Sequence, residues 1–257
     1  LKPLVAIAAG ARVALGVGFF VLFIALWAAV SYGGLVPPLF LASPGKTVAA
    51  GVSLFTEYNF IRDIGVTVLR VVGGFLIATA VAVPLGLAMG AFKAVEAFFE
   101  PFISFARYLP ASAFIPLLIL WAGVDEAQKL AVIFIGSFFQ IVIMVAVTAG
   151  ATRIDLVEAA TTLGAQNRGI VARVIVPAAA PQIAETLRLV LGWAWTYVIV
   201  AELIGAQSGI GHMIMDSQRL LDTGQMIFGI VTIGVIGLVT DFLFKALNRR
   251  LFPWAVL

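Results

Sequence analysis

Few residues in this chain could do chemistry, and their settings say which kinds are open. Glu202 stands within an apolar run, after Trp195 and Tyr197. A carboxylate at that depth in a membrane segment is costly and marks a candidate functional site. The alternative is that it reaches the headgroups or caps a helix. Asp241 precedes Lys245 by four residues, the spacing of an ordinary ion pair on a helix face. A proton relay would need several such groups along one path, and none is lined up. His212, the single histidine, follows Gly211 in a polar connection. It reads as a loop or interface residue rather than a metal ligand or base. There are no cysteines, which excludes disulfides and thiolate metal sites. No G-x-x-x-x-G-K-S/T, H-E-x-x-H or G-x-S-x-G pattern occurs, so the usual nucleotide loop is missing, as are two common hydrolytic motifs.

The elements that must position these residues are membrane spans. Of 257 residues, 62% are hydrophobic and 11% charged, against ~45–50% and ~25% for a soluble domain. Six spans of ~20 residues fit this length with short loops, leaving no room for a separate soluble domain. Apolar runs place them at about Val13 to Ser31, Ile64 to Phe92, Pro101 to Trp121, Ala131 to Gly150, Ile183 to Leu203 and Met226 to Leu247. The chain opens at Leu1, and its first apolar run lacks a cleavage pattern followed by a soluble domain, so it reads as a span. Ser43-Pro44 offers an N-cap and a first-turn proline. The short helix that follows repeats Val48, Val52 and Phe55, and either lies at the interface or packs on the bundle. Pro84 with Gly86 and Gly90 marks a weak point in the second span, and Pro110 and Pro116 interrupt the third. The G-x-x-x-G at Gly86 reads as plain helix packing. Lys93 to Glu100 reads as a short polar loop, Asp125, Glu126 and Lys129 as a tight turn, and Gly205 to Thr223 as a polar connection.

An even number of spans puts both ends on one side. That side carries ten basic residues: Lys2, Arg12, Lys93, Arg107, Arg153, Arg168, Arg173, Lys245, Arg249 and Arg250. The other carries four: Lys46, Arg62, Lys129 and Arg219. Arg70 and Arg188 lie too close to spans to assign. The bias puts both termini in the cytoplasm. The net charge of +3 is spread thinly between apolar runs, which fits a membrane surface better than nucleic acid.

The connection from Ala151 to Pro181 is the longest stretch with several charges, yet rich in Ala and Val. It reads Glu158-Ala159-Ala160-Thr161-Thr162-Leu163-Gly164, then nine residues, then Val174-Ile175-Val176-Pro177. This resembles the EAA loop of ABC importer permeases, E-A-A-x3-G-x9-I-x-L-P, with valines at the Ile and Leu positions. Further segments resemble the nitrate, bicarbonate, taurine and sulfonate branch of the binding-protein-dependent transport inner-membrane component family. They are Leu69-Arg70-Val71 with Gly74-Phe75, Val83 to Gly86, Pro110 to Gly123, Ala201-Glu202-Leu203 with Gly209-Ile210-Gly211, and Arg249-Arg250 before Pro253-Trp254. The resemblance covers about Pro44 to Trp254.

The resemblance implies an all-α, six-span, type I (MetI-like) importer permease in a bacterial inner membrane, one transmembrane domain over 1–257 with a coupling loop at 151–181. It implies a homodimer with the solute path at its two-fold axis, two separate ATP-binding subunits and an extracytoplasmic solute-binding protein. ATP and Mg2+ would sit on those subunits and no cofactor on this non-catalytic chain. Glu158, Ala159, Ala160, Gly164, Arg168 and Pro177 would make the coupling loop. Small Ala159 and Ala160 permit close approach, and Gly164 permits a left-handed turn. Ser137, Gln140, Thr148, Thr196, Glu202 and Gln218 are polar residues that could face the path of a small anion; Gln225 is another. The competing functions are a proton- or sodium-coupled carrier, for which only Glu202 speaks, and a structural membrane protein, which has no use for an EAA loop.

Overall fold

The computed structural model describes residues 8–255 and is all helical; Lys2 lies outside them. The helices are α1 Ala9–Tyr32, α2 Pro44–Glu57, α3 Phe60–Ala91, α4 Lys93–Ala106, α5 Ile115–Ala122 with a 3-10 turn Ala111–Phe114 before it, α6 Glu126–Gly150, α7 Ile154–Thr162, α8 Asn167–Ile170, α9 Val176–Leu203, α10 Ile210–Arg219 and α11 Thr223–Leu251. Among the described residues five helical segments are long and apolar enough to cross a bilayer: α1, α3, α6, the run Asn167–Leu203, and α11. The α4/α5 pair, bent by 82°, is long and apolar enough taken together to count as a sixth. The break falls at Pro110, and Pro116 opens α5 rather than breaking it, because proline is accommodated in a first turn.

Two compact units emerge. One holds the chain up to Phe60 together with Ile214–Val231. Within it, Ser43 caps α2 by accepting from Lys46 N at 3.4 Å, with Pro44 in the first turn. The helix buries Thr47, Gly51 and Leu54, while Val48, Val52 and Phe55 stay exposed. A Cβ on Gly51 would stand 2.2 Å from the Phe228 ring. The face that packs is therefore the small-residue face, and the apolar stripe is left for lipid.

The other unit holds Ile61–Met213 and the chain from Thr232. Its core joins α3, α6 and α9 through Ala78, Ala82, Ile141, Val142, Val145 and Val190. Helix α3 lies close on α6. A Cβ on Gly74 would meet Ile133 at 2.8 Å, one on Gly86 the Val142 carbonyl at 2.7 Å, and one on Gly90 the Ala146 carbonyl at 2.5 Å. These glycines trade helix propensity for backbone approach, which is how membrane helices gain dispersion contacts. Helix α3 continues through Pro84 to Ala91, so no interruption occurs there.

Three connections differ from the sequence expectation. Lys93 to Glu100 is helical, the start of α4, with Lys93, Glu96 and Glu100 at helical spacing and Lys93 paired to Glu96. Asp125 is the N-cap residue of α6, with Glu126 and Lys129 already in its first turns. The polar connection after α9 contains α10, whose first turn is capped from outside its own sequence neighbourhood. Large apolar side chains of α1 and α11 such as Phe19, Phe20, Leu22, Phe242 and Leu243 are exposed, as lipid-facing surface requires.

Candidate functional site

The EAA-like segment folds as α7 and its exit turn. Arg153 precedes the helix and its guanidinium pairs with Asp155 in the first turn. That hydrogen bond holds the Asp155 carboxyl below its ordinary value, and the negative charge also suits the helix N-terminus. Val157 and Ala160 turn inward against Ala149, Ile170 and Ile175. Glu158 and Ala159 are exposed, as are Ile154 (67%) and Leu163 (89%). The helix ends in a Schellman motif. Ala165 N donates to Ala160 O at 3.0 Å and Gly164 N to Thr161 O at 2.9 Å. Gly164 has φ +83°, the left-handed conformation that glycine adopts without steric cost.

Beyond it, α8, one π-helical turn (Val171–Ile175) and α9 run on continuously. Val176 N reaches back five residues to Val171 O, and Pro177, which has no N–H, sits in the first turn of α9. Arg168, Arg173 and Pro177 are exposed.

Glu202 is 1% exposed and belongs to a buried polar knot. Arg70 of α3, itself 3% exposed, donates through Nη1 to Glu202 Oε1 at 2.8 Å and to Ser208 O at 2.7 Å. Its Nε donates to Glu126 Oε2 at 2.7 Å, where the glutamate is open to solvent. Thr67 Oγ1 donates to Glu202 at 2.9 Å and accepts from Ile210 N at 2.9 Å. Gly211 N donates to Glu202 Oε2 at 2.8 Å, and Gly209 N to Asp63 Oδ1 at 2.7 Å. Three side chains from α3 and α9 thus cap the first turn of α10, where backbone donors would otherwise be orphaned. Glycine is required at Gly209, at φ +112°, because a Cβ would stand 2.5 Å from Glu202 Oε1. The capping alternative for Glu202 is therefore realised, across the fold rather than within its own helix. In the sequence Arg70 stands out only within Leu69-Arg70-Val71, with no role attached. The signal was an arginine ten residues inside a long apolar helix.

The remaining candidate path residues divide between the units, Ser137, Gln140, Thr148 and Thr196 in one and Gln218 and Gln225 in the other. Ser137 is fully buried and its hydroxyl has no partner. Gln140 is half-buried and lines a cavity with Tyr197. Thr148 donates to Met144 O at 2.7 Å, three helical turns from Ser137 on α6. Thr196 is exposed and donates to Trp193 O at 2.7 Å. Gln218 is exposed on α10, and Gln225 accepts from Ser217 Oγ at 3.0 Å. The Asp241–Lys245 pair forms at 2.9 Å and is part of a larger ladder. Arg188 bridges Glu185 and Asp241, and Asn248 donates to Glu185 at 3.1 Å, tying α9 to α11.

Comparison with known proteins agrees with this architecture. The family described as binding-protein-dependent transport system inner membrane component matches residues 82–253. A probable ABC transporter permease protein of Brucella melitensis biotype 1 is 40% identical over 216 residues, 83% of this chain and 87% of that protein. The taurine transport system permease protein TauC of Escherichia coli K12 is 29% identical over 248 residues, 95% of this chain and 90% of that protein. Among solved structures, inward-facing conformations of the MetNI methionine ABC transporter match with TM-score 0.68 at 16% identity, over 74% of this chain and 95% of that one. At that identity the likeness establishes the fold alone.

Proposed function

This chain belongs to the binding-protein-dependent transport system inner-membrane component family, as an ABC-importer permease related to nitrate, sulfonate and taurine permeases, and we propose that it forms the translocation path for a small anion of that menu: nitrate, bicarbonate, taurine or another sulfonate. On this reading the whole chain is one transmembrane permease domain with both termini cytoplasmic. It pairs with a second copy of itself, receives solute from an extracytoplasmic binding protein, and seats residues 151–181 on two ATP-binding subunits, where ATP and Mg2+ are held.

One observation carries the coupling role. Helix α7 presents an exposed surface of Ile154, Glu158, Ala159 and Leu163 on a rigid base, and the turn after it is locked by Gly164. Exposed leucine and isoleucine on a charged connection need a covering partner. The small residues of the EAA segment let that partner approach closely, and Glu158 offers an acceptor to its donors. Arg168 and Arg173 are placed for the same partner or for the anionic inner leaflet, and Pro177 opens α9 within the continuous helical run that forms the next span.

The test is ATP hydrolysis by the purified complex with and without loaded binding protein. Glu158→Ala and Gly164→Val should each reduce the stimulated rate severalfold while the complex still elutes intact. Placing valine at a left-handed φ costs about 1–2 kcal/mol, enough to displace the turn but not to unfold a membrane bundle. Unchanged stimulation in both variants sinks the coupling role. Uptake that proceeds without an ATPase subunit and follows a proton or sodium gradient would instead support a secondary carrier.

A further inference from the structure

The bend in the third span holds a feature that the coupling loop and the buried knot leave unused. Between α4 and the 3-10 turn before α5, residues 107–110 leave the helix. Beside them lies a cavity of about 150 Å3, lined from the bend by Arg107, Tyr108 and Pro110, from α6 by Gly136 and Gln140, and from α9 by Tyr197. Its depth follows from α6. That helix runs from 126 to 150, about 37 Å at 1.5 Å per residue, and the lining residues flank its midpoint. The cavity is therefore near the middle of the bilayer. At that depth Arg107, counted above with the cytoplasmic loop residues, would sit at the break within the span, and the remaining basic residues still favour the same side. Broken backbone at that depth is tolerated where it is covered by protein or lines a polar cavity.

Three basic groups packed among the spans are neutralised or capped within the protein. Arg70 holds Glu126 and Glu202, Arg188 holds Glu185 and Asp241, and the Lys129 ammonium donates to the Val124 and Asp125 carbonyls. Arg107 has no carboxylate among the described residues. Its Nη2 donates to the Tyr108 hydroxyl at 2.9 Å and its guanidinium lies 4.8 Å from that ring's centre. A permanent cation at mid-bilayer without a counter-charge is costly, so its neutralising anion has to come from outside this set. The cavity is several times the ~30 Å3 share of one water and well below the ~300 Å3 at which drug-sized sites begin. Gly136 shapes its wall: a Cβ there would stand 2.5 Å from the Tyr197 ring, so only glycine lets the tyrosine lie against α6.

We propose that this cavity is an anion-holding station of the translocation path, with Arg107 as the counter-charge and Tyr108, Gln140 and Tyr197 as hydrogen-bonding groups for an oxyanion of a few heavy atoms. The proposal rests on the permease reading and adds where in the membrane the anion is recognised and by what.

The absence of cysteine from the chain makes a direct test clean. In the purified full-length protein, Gln140→Cys places one thiol on the cavity wall. Its modification rates by anionic sulfonatoethyl and cationic trimethylammonioethyl methanethiosulfonates are each normalised to the neutral methyl reagent, which removes effects on thiol ionisation. The anionic reagent should be favoured, and adding Arg107→Gln should cut that preference about tenfold or more, the scale on which a focused charge changes local ion concentration. Arg107→Lys should keep most of it. A preference that is the same with and without Arg107 overturns the proposal, as does a thiol that the neutral reagent cannot reach. Co-purification of an ATPase subunit is scored in the same preparation. Its absence would count against the importer reading, while the reactivity ratio still reports on the cavity.

Discussion

Glu202 has both carboxylate oxygens committed inside the protein, and this sets what its loss will do. Removing one partner of a buried ion pair leaves the other charge unpaired and typically costs ~3–5 kcal/mol, more than deleting both. Glu202→Ala is therefore expected to lower the thermal midpoint of the detergent-solubilised protein sharply, because Arg70, Thr67 and Gly211 all lose an acceptor. Arg70→Met with Glu202→Leu should recover part of that loss, while still leaving the α10 donors uncapped. A single variant as stable as the parent would show that the knot contributes nothing. Glu202 was legible as a candidate in the sequence, but Arg70 carried no role there, Asp63 and Thr67 did not stand out, and the partnerships could not be read. Arg70 and Glu202 are 132 residues apart, and an isolated charge in an apolar run says that a partner exists without saying which. Gly209 and Gly211 were noticed as a motif, and only the geometry shows why side chains are excluded there.

Helices were legible to the extent that hydropathy dictates them. Five of the six apolar runs fall on single long helical segments, because an apolar segment of ~20 residues satisfies its backbone in lipid as a helix; the third falls on the bent α4/α5 pair, broken at Pro110. Amphipathic pieces were harder. Helix α4 begins on Lys93, Glu96 and Glu100, which look like a loop when charge is taken as the loop signal; their i, i+3, i+7 spacing was the sign of a solvated helix face. Helix α10 was hidden for a different reason, since its N-cap comes from α3 and α9. Close helix approach could be suspected from G-x-x-x-G but not assigned to a neighbour. The structure assigns Gly86 and Gly90 to α6, with carbonyls within 3 Å of any added Cβ. Gly90→Val must therefore push α3 off α6, an overpacking cost of roughly 1–3 kcal/mol, read as a lower melting temperature and poorer recovery of folded protein. Gly18→Val in α1 is the matched control. Nothing lies within 4 Å of a Cβ there, so its melting temperature should not fall. Equal losses in the two variants would mean that valine in a glycine-containing span, rather than contact with α6, sets the effect.

For the molecule as a whole, the distribution of charge is the property that gives it a direction. The basic residues around α7, at the start of α4 and at the end of α11 fall at the same ends of alternating spans. The α3 and α6 helices run parallel, as Gly74, Gly86 and Gly90 meeting successively later residues of α6 requires. Helices α3 and α6 can be parallel only if the chain returns between them, so the α4/α5 pair acts as one traverse rather than a loop that re-enters the same face. That fixes relative sidedness without reference to charge. The end of α6, with α7, lies on the same side as the α3–α4 junction, and the α5–α6 junction at Val124 lies opposite. Charge then chooses which side is the cytoplasm. The prediction follows from both arguments together and uses the cysteine-free background. In right-side-out vesicles a membrane-impermeant maleimide should label Val124→Cys, whose parent side chain is 49% exposed. Leu163→Cys, at the 89% exposed tip of α7, should be labelled only after the membrane is opened. If both are labelled from outside, α6 does not cross the membrane between them. If the two labels exchange sides, the orientation drawn from charge together with the α4/α5 traverse falls.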